Sequence, residues 1–313
     1  MKIHYSLDPP LSIRHPVVTT GSFDGVHIGH RVIIDRLNKL AATIGGESVL
    51  ITFHPHPRRV LYPETEGRNL LLINSQKEKI ALLEKTGLDH LVILTFTKDF
   101  ARVTCDMFVE DYLVSRLKAE VVVVGFNHYF GFNREGNFEF LYKLSTKHGF
   151  RVEEIPHQDI QNETVSSTKI RKALIEGNIQ RANAYLDHYY MVRGILHREH
   201  EVSYRLEREV FRMEIEEDVK MIPADGVYAV SLHLRNSIRK ACFKVAGFSI
   251  EENHLGHKLS LRVIPLDSDL RPEGEEVVAY FHKRIRDPRP GEDQENSQRL
   301  LQTDLKEIEE LIY

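Results

Sequence analysis

The sequence predicts a doubly wound α/β domain followed by a small antiparallel β-barrel and a C-terminal helix. In the first half of the chain, strand-like segments alternate with helix-like segments, which is typical of a parallel sheet. Residues 120–125 read EVVVVG, and four consecutive valines favour a strand that is covered on both faces. After about Tyr190 the segments become short and β-like, with polar or Gly/Pro-containing stretches between them.

The predicted elements follow from the spacing of apolar residues. In the first half of the chain, strands are predicted from a short β-branched run at residues 17–20 and from runs of mostly apolar residues at 48–53, 91–96 and 120–125. Helical spacing predicts helices at residues 30–42, 75–85 and 105–117. In the second half, β-like segments lie at residues 191–197, 226–234, 240–248, 258–264 and 276–284, and an amphipathic helix covers 300–312. We therefore expect two domains, residues 1–188 and 189–313.

Composition and charge exclude several classes of protein. A hydrophobic content of 42% and a charged content of 28% are ordinary for a soluble globular protein. The formal charge of -4 argues against a nucleic-acid partner, which usually needs a basic face. No stretch approaches the roughly 18 apolar residues of a membrane span, and the N-terminus has no apolar core of signal-peptide length. The two cysteines cannot make a disulfide framework. We expect a cytoplasmic protein without a membrane partner.

The strongest functional signal lies at residues 21–30, which read GSFDGVHIGH. Gly21 and Gly25 permit a tight turn and a close approach of backbone to phosphate, and the N-terminus of the following helix favours an anion. His27 and His30 lie three residues apart at that helix start, so both rings can face one ligand. Two imidazoles can donate hydrogen bonds to phosphate oxygens that gain charge during transfer. A metal pair or ordinary surface histidines are the alternatives, and the strand–turn–helix context favours catalysis.

Two further segments are candidate ligand sites. Residues 165–171 read VSSTKIR and precede a predicted helix at 169–176, where Arg171 can add a bidentate phosphate contact. A plain helix cap is the alternative there. Residues 124–136 leave the valine strand at its carboxyl end, and their aromatic side chains and an Asn could hold a flat ring system. A packed strand-to-loop junction is an equal alternative.

The run at residues 53–57, FHPHP, resembles a metal site at first sight. The prolines restrict the backbone, and no Cys or acidic partner follows at ligand spacing. We therefore expect a loop that lines the pocket, and no metal ligands in the protein.

Together these motifs resemble the bacterial bifunctional riboflavin kinase/FAD synthetase family. The resemblance to its nucleotidyltransferase module runs from about residue 16 to 190. Five motifs occur in family order: G-x-F-D-G-V-H-x-G-H at 21–30, T-F-x-P-H-P at 52–57, the E-K-I helix around Glu78, V-G-x-N/D ending in F-G at 124–131, and S-S-T-x-I-R at 166–171.

The resemblance implies a Rossmann-like nucleotidyltransferase that moves AMP from ATP to FMN, giving FAD and pyrophosphate with Mg²⁺. His27 and His30 would steady the phosphates, and Asn127 would contribute to the acceptor and metal region. Other residues of the nucleotide pocket would be Gly21, Ser22, Phe23, Asp24, Gly25 and Gly29 in the first motif, and Ser167, Thr168 and Arg171 in the last. ATP and FMN are the implied partners, and no protein partner is implied.

The C-terminal part resembles the riboflavin kinase barrel of the same family. Residues 223–230 read PADGVYAV and match its P-x-D-G-V-Y-A-V strand, and residues 284–286 match its late I-R segment. Where the family has G-x-P-T-A-N, which holds Mg²⁺ and phosphates, residues 207–212 read EREVFR, and the catalytic glutamate aligns with Ser260. Carboxylates repel phosphate and a serine is a poor general base, so we expect a folded barrel without kinase activity.

Two other functions stay open at this point. The H-x-G-H chemistry serves several substrates, so the acceptor of an adenylyl or cytidylyl group could be another phosphate-bearing molecule. A flavin- or nucleotide-binding regulatory protein without turnover is the third possibility, and the eroded barrel keeps it open.

Overall fold

The computed structural model of the protein describes residues 1–126, 129–156, 159–160, 163–200, 208–235, 237–246, 260–267, 273–287 and 294–311. The chain divides into two compact units, residues 1–70 with 79–165 and residues 71–78 with 166–313. Among the described residues, no helix is long and apolar enough to span a membrane.

The first unit contains a six-stranded sheet in which all neighbouring strands are parallel. The strands are β1 (Lys2–His4), β2 (Val17–Thr20), β3 (Ser48–His54), β4 (His90–Thr95), β5 (Val121–Gly125) and β6 (Arg151–Ile155). Their order in the sheet is β1-β4-β3-β2-β5-β6. From β2, the chain adds β3 and β4 on one side and β5 and β6 on the other side, as in other doubly wound folds. The predicted fold class is therefore confirmed for this half.

Helices connect these strands, as the right-handed crossover of parallel strands requires. They are α1 (Ile28–Thr43), α2 (Pro57–Leu61), α3 (Gln76–Glu84), α4 (Cys105–Met107) with a π-helix (Phe108–Arg116), and α5 (Phe138–His148). Two 3-10 turns (Phe100–Arg102, Phe132–Arg134) and a hairpin of β7 (Asp159–Ile160) and β8 (Glu163–Thr164) complete the unit.

The valine strand β5 is covered on both faces, as its sequence predicts. Val122 and Val124 pack in one apolar cluster with Phe108 and Leu141, and the intervening Val123 has no exposed surface. Full burial of one such side chain contributes about 1.5–3 kcal/mol. The strand therefore anchors the centre of the sheet and fixes the edge where the functional loops begin.

The second unit is a closed six-stranded antiparallel barrel in the order β10-β13-β12-β11-β14-β9. Its strands are β9 (Tyr190–Arg198), β10 (Phe211–Glu214), β11 (Gly226–Leu234), β12 (Ser237–Ala246), β13 (Ser260–Pro265) and β14 (Glu276–Arg286). Helices α6 (Ser167–Ile175) and α7 (Ile179–Leu186) precede the barrel. Helix α8 (Gln294–Leu311) packs Leu301, Leu305 and Ile308 against it. The predicted barrel and C-terminal helix are thereby confirmed.

Candidate active site

The glycine-containing turn follows the carboxyl end of β2 and leads into α1. The Gly21 N–H donates to the carbonyl of Ile51 at 3.0 Å, which ties the start of the turn to β3. Phe23, Gly25 and Val26 have positive φ angles of 48°, 94° and 42°. Such angles cost on the order of 1–3 kcal/mol at a bulky residue, and they persist only where the surroundings enforce them. Burial of Phe23 and Val26 contributes to that enforcement.

The two motif histidines come together at the start of α1. His27 is the N-cap residue of the helix, and His30 lies in its first turn. Their rings stack with centroids 3.6 Å apart and an angle of 17° between the planes. A side chain at Gly29 would approach within 3.3 Å of the His27 ring, so glycine gives this ring its space. The structure thus brings both imidazoles to the place where the helix N-terminus favours an anion.

The surroundings of His30 disfavour the charged form of its ring. Burial, then the nearby His27 and then the ammonium of Lys79 hold the pKa of His30 well below its usual value. The Phe23 ring covers it with centroids 4.5 Å apart, and its Nδ1 atom is buried without a hydrogen-bond partner among the described residues. A neutral imidazole still offers one N–H donor, so His30 can bind a phosphate oxygen without first gaining a proton.

Sequence reasoning missed Lys79, which lies beside this turn. Its side chain is buried, and its Nζ atom is 3.4 Å from the carbonyl oxygen of Ser22 and 3.3 Å from Oγ1 of Thr52. The only signal in the sequence was the E-K-I motif, whose lysine gave no indication of a contact with the turn.

The segment with Ser167, Thr168 and Arg171 belongs to the second unit. The hydroxyl of Ser166 accepts a hydrogen bond from the N–H of Lys169 at 3.3 Å and caps α6. The helix therefore begins at Ser167, two residues before the predicted start, and the backbone of its first turn can bind an anion. The Nε atom of Arg171 donates a hydrogen bond to the carbonyl of Leu71 at 2.9 Å. This bond fixes the orientation of the guanidinium group.

The loop after β5 divides into packed and exposed aromatic residues. Phe130 packs against Phe108 with ring centroids 5.8 Å apart, as the packing alternative predicts. In contrast, Phe126, Tyr129 and Phe132 are 49%, 46% and 42% exposed, and exposed aromatic groups at this edge of a sheet suit a flat ligand. Asn127 lies outside the described residues.

In the FHPHP segment, Phe53 and His54 end strand β3, residues 55–56 form a short loop, and Pro57 begins α2. The ring of His56 accepts a hydrogen bond from the N–H of Arg58 at 3.2 Å and caps α2. Among the described residues there is no group of three or more His, Cys, Asp or Glu side chains that could hold a metal ion.

A parallel α/β domain with a strained glycine turn and paired histidines at the strand ends has the architecture of a nucleotidyltransferase. Residues 11–169 match the FAD synthetase family, and the chain belongs to that family. The resemblance seen in the motifs is thereby confirmed. The family uses ATP and FMN as substrates, so the chain is by class an ATP:FMN adenylyltransferase.

Individual relatives cover most of the chain. It is 29% identical over 270 residues to the bifunctional riboflavin kinase/FMN adenylyltransferase of Listeria monocytogenes, covering 86% of this chain and 84% of the relative. It is 27% identical over 270 residues to the protein of the same name from Escherichia coli, with the same coverage. A crystal structure described as a macrolide-efflux protein from Streptococcus pneumoniae has a TM-score of 0.87 and 25% identity, covering 98% of both chains.

Proposed function

We propose that this chain makes FAD by moving AMP from ATP to FMN at the 21–30 turn, and that its barrel no longer phosphorylates riboflavin. The observation that carries the first proposal is the stacking of the His27 and His30 rings at the start of α1, with 3.6 Å between the ring centroids. This pair stands where the carboxyl ends of parallel strands and a helix N-terminus both favour a phosphate group.

In the proposed reaction, a phosphate oxygen of FMN bonds to the α-phosphorus of ATP. The bond from that phosphorus to the oxygen that bridges to the β-phosphorus breaks, and pyrophosphate leaves with the negative charge. The enzyme needs no covalent intermediate, because positioning and stabilisation of charge provide the catalysis. The N–H groups of His27 and His30 donate to oxygens that gain charge, and one such donor contributes about 2.7–4 kcal/mol.

The other predicted site residues have supporting roles in this proposal. The first turn of α6, with Ser167 and Thr168, would bind ATP phosphates through backbone N–H groups, and the guanidinium of Arg171 would add a charged contact. Asn127 would lie near the acceptor phosphate, and the exposed aromatic residues of the same loop suit the flavin ring.

Mg²⁺ would accompany ATP, because it binds through substrate phosphates with one or two carboxylates. Asp24 is the carboxylate of the turn and is buried, and in this proposal it helps to shape the nucleotide pocket. The ion would neutralise charge on the phosphates. The proposed compartment is the cytoplasm, which agrees with the free, buried state of Cys105 and Cys242.

Loss of the kinase activity is proposed from the segment at residues 207–212. Val210 and Phe211 are buried in the barrel without exposed surface, and Glu209 forms an ion pair of 2.5 Å with Arg198. The family motif would bind a phosphate group at this place, whereas the Glu209 carboxylate repels one. Glu207 and the side chain of Ser260 lie outside the described residues, so their part in this proposal rests on the sequence.

The test of FAD synthesis is incubation of the full-length protein with ATP, Mg²⁺ and FMN, followed by chromatographic separation of the flavins. We expect FAD and an equal amount of pyrophosphate. Bound FMN without any FAD would contradict the proposal and favour a regulatory binding protein. Transfer to a different phosphate-bearing acceptor, with FMN unchanged, would contradict it in favour of another nucleotidyltransferase.

A further inference from the structure

We propose that Lys79 is a positioning residue for adenylyl transfer, and that its buried ammonium holds the turn that carries His27 and His30. This inference rests on the proposed function, because the effect on catalysis is read from FAD synthesis. Lys79 belongs to the E-K-I motif, to which the mechanism above assigns no role.

The ammonium of Lys79 joins three elements of the first unit. Lys79 lies on α3 and is only 8% exposed. Its Nζ atom donates to the carbonyl of Ser22 in the turn at 3.4 Å and to Oγ1 of Thr52 on β3 at 3.3 Å. The Thr52 hydroxyl donates to the same Ser22 carbonyl at 3.2 Å. The carbonyl oxygen of Ser22 in the turn therefore accepts hydrogen bonds from two neighbouring elements, α3 and β3.

The contact matters because the next residue along the turn is strained. Phe23 follows Ser22 directly, has a φ of 48°, and covers the His30 ring at 4.5 Å. A conformation of this kind persists only while its surroundings enforce it. Without the Lys79 ammonium, the Ser22 carbonyl keeps only the Thr52 hydroxyl as a donor from these two elements. The turn is then held less firmly, and the imidazoles lose part of the alignment that transfer needs.

The charge of Lys79 has a second effect on the same pair. Among the described residues, the titratable groups that shift the pKa of His30 are His27 and Lys79, and both of them, after burial, lower it. Removal of the Lys79 charge should therefore raise the pKa of His30 towards its usual value. A side chain that only filled space at this position would not have this effect.

The first experiment compares three variants of the full-length protein in FAD synthesis. Lys79→Met keeps the length of the side chain but removes its charge and donors, and we expect kcat to fall roughly 10- to 100-fold, the loss typical of a hydrogen bond from a charged group. The KM for FMN should change little. Lys79→Arg keeps the charge and should retain most of kcat. Lys85→Met removes an exposed lysine just after α3 and should match the wild type.

The second experiment follows the ring protons of His30 by NMR as the pH changes, without substrates. The pKa of His30 should be higher in Lys79→Met than in the wild type, and unchanged in Lys79→Arg. This measurement needs no turnover, so it separates a failure of this inference from a failure of the proposed function.

The inference is overturned if a folded Lys79→Met variant keeps the wild-type kcat or the wild-type titration of His30. If that variant does not fold, Thr52→Val tests the same carbonyl contact. It should lower kcat while the titration of His30 stays as in the wild type, and an unchanged kcat would again contradict the inference.

Discussion

Glu78 and Lys220 form an ion pair in which neither side chain is exposed to solvent, with 2.7 Å between Oε2 and Nζ. The Glu78 carboxylate also accepts hydrogen bonds from the backbone N–H groups of Ser75 at 3.0 Å and Arg193 at 2.8 Å. Each of these partners lies in the second unit. Residues 71–78 are therefore built into the barrel unit, although more than 80 residues separate them from α6 in the sequence.

Removal of one partner of this pair should destabilise the protein strongly. Lys220→Met leaves a buried carboxylate without its counter-charge, which typically costs about 3–5 kcal/mol. We expect a large decrease in the midpoint of urea unfolding, followed by circular dichroism. In the double variant Glu78→Gln/Lys220→Met, the loss should be smaller than the sum of the single losses, because both charges are gone.

The control is Lys77→Met on the same helix. Lys77 pairs with Glu216 at 2.7 Å, but their side chains are 54% and 67% exposed. Exposed pairs are screened by water and contribute little, so the midpoint should hardly change. Equal unfolding midpoints for Lys220→Met and Lys77→Met would show that the buried pair contributes no more to the free energy of unfolding than the exposed pair does.

His30→Ala should reduce FAD synthesis while the fold stays intact. The variant loses one donor to phosphate oxygens, a change that costs about 2.7–4 kcal/mol, or roughly 100- to 1000-fold in kcat. The matched control is His197→Ala, since His197 lies on β9 and pairs with Glu214 at the surface of the barrel. A folded His30→Ala protein with wild-type turnover would remove His30 from the mechanism.

The lowered pKa of His30 also predicts a dependence of stability on pH. In the unfolded chain, His30 binds a proton as the pH falls through about 6.5, whereas in the folded protein its lowered pKa means that it binds a proton only at lower pH. The unfolded state then binds more protons, so the free energy of unfolding falls as the pH drops below that value. The unfolding midpoint of His30→Ala should fall less than that of the wild type between neutral pH and about pH 5.5. Parallel pH profiles for the two proteins would contradict this prediction.

Arg171→Ala should weaken the binding of ATP more than that of FMN. The predicted role is a charge-assisted contact with phosphate, and loss of such ground-state binding raises KM without a matching loss of kcat. Steady-state kinetics with each substrate varied in turn would measure the difference. Lys172→Ala is the control, because Lys172 is 75% exposed and pairs only loosely with Glu176 at 3.8 Å. An unchanged KM for ATP would contradict a role in phosphate binding, and the contact with the Leu71 carbonyl would then be the structural role of Arg171.

The sequence predicted the buried strands well and the edge strands poorly. Strands β2, β3 and β5 show apolar or β-branched runs because both of their faces are covered. At the sheet edges, β1 has three residues and β6 reads RVEEI, with three of its five residues charged, so neither shows a burial pattern. Strand β10 was missed for another reason, since its first residues were interpreted as the remains of a phosphate-binding motif.

The same contrast holds for the candidate site. The closeness of His27 and His30 follows from their local spacing at the start of α1, and the sequence predicted that both rings can face one ligand, although it did not predict that they stack. Lys79 reaches the site through contacts with residues 27 and 57 positions away in the sequence. Such contacts depend on how α3 packs against the sheet, and no local pattern encodes that packing.

The last prediction is that the barrel does not phosphorylate riboflavin. Phosphate anchoring and proton abstraction are separate requirements of phosphoryl transfer, and residues 207–212 and Ser260 depart from the family pattern at both. The test uses the full-length chain, because removal of the barrel would also remove Arg193 and Lys220, the partners of buried Glu78. The His30→Ala substitution in the transferase site slows the conversion of any FMN to FAD, and FAD is measured together with FMN. With riboflavin, ATP and Mg²⁺ we expect no FMN above a mock preparation, while the bifunctional Escherichia coli relative serves as the positive control. Multiple turnovers of FMN formation would show that the barrel is a working kinase.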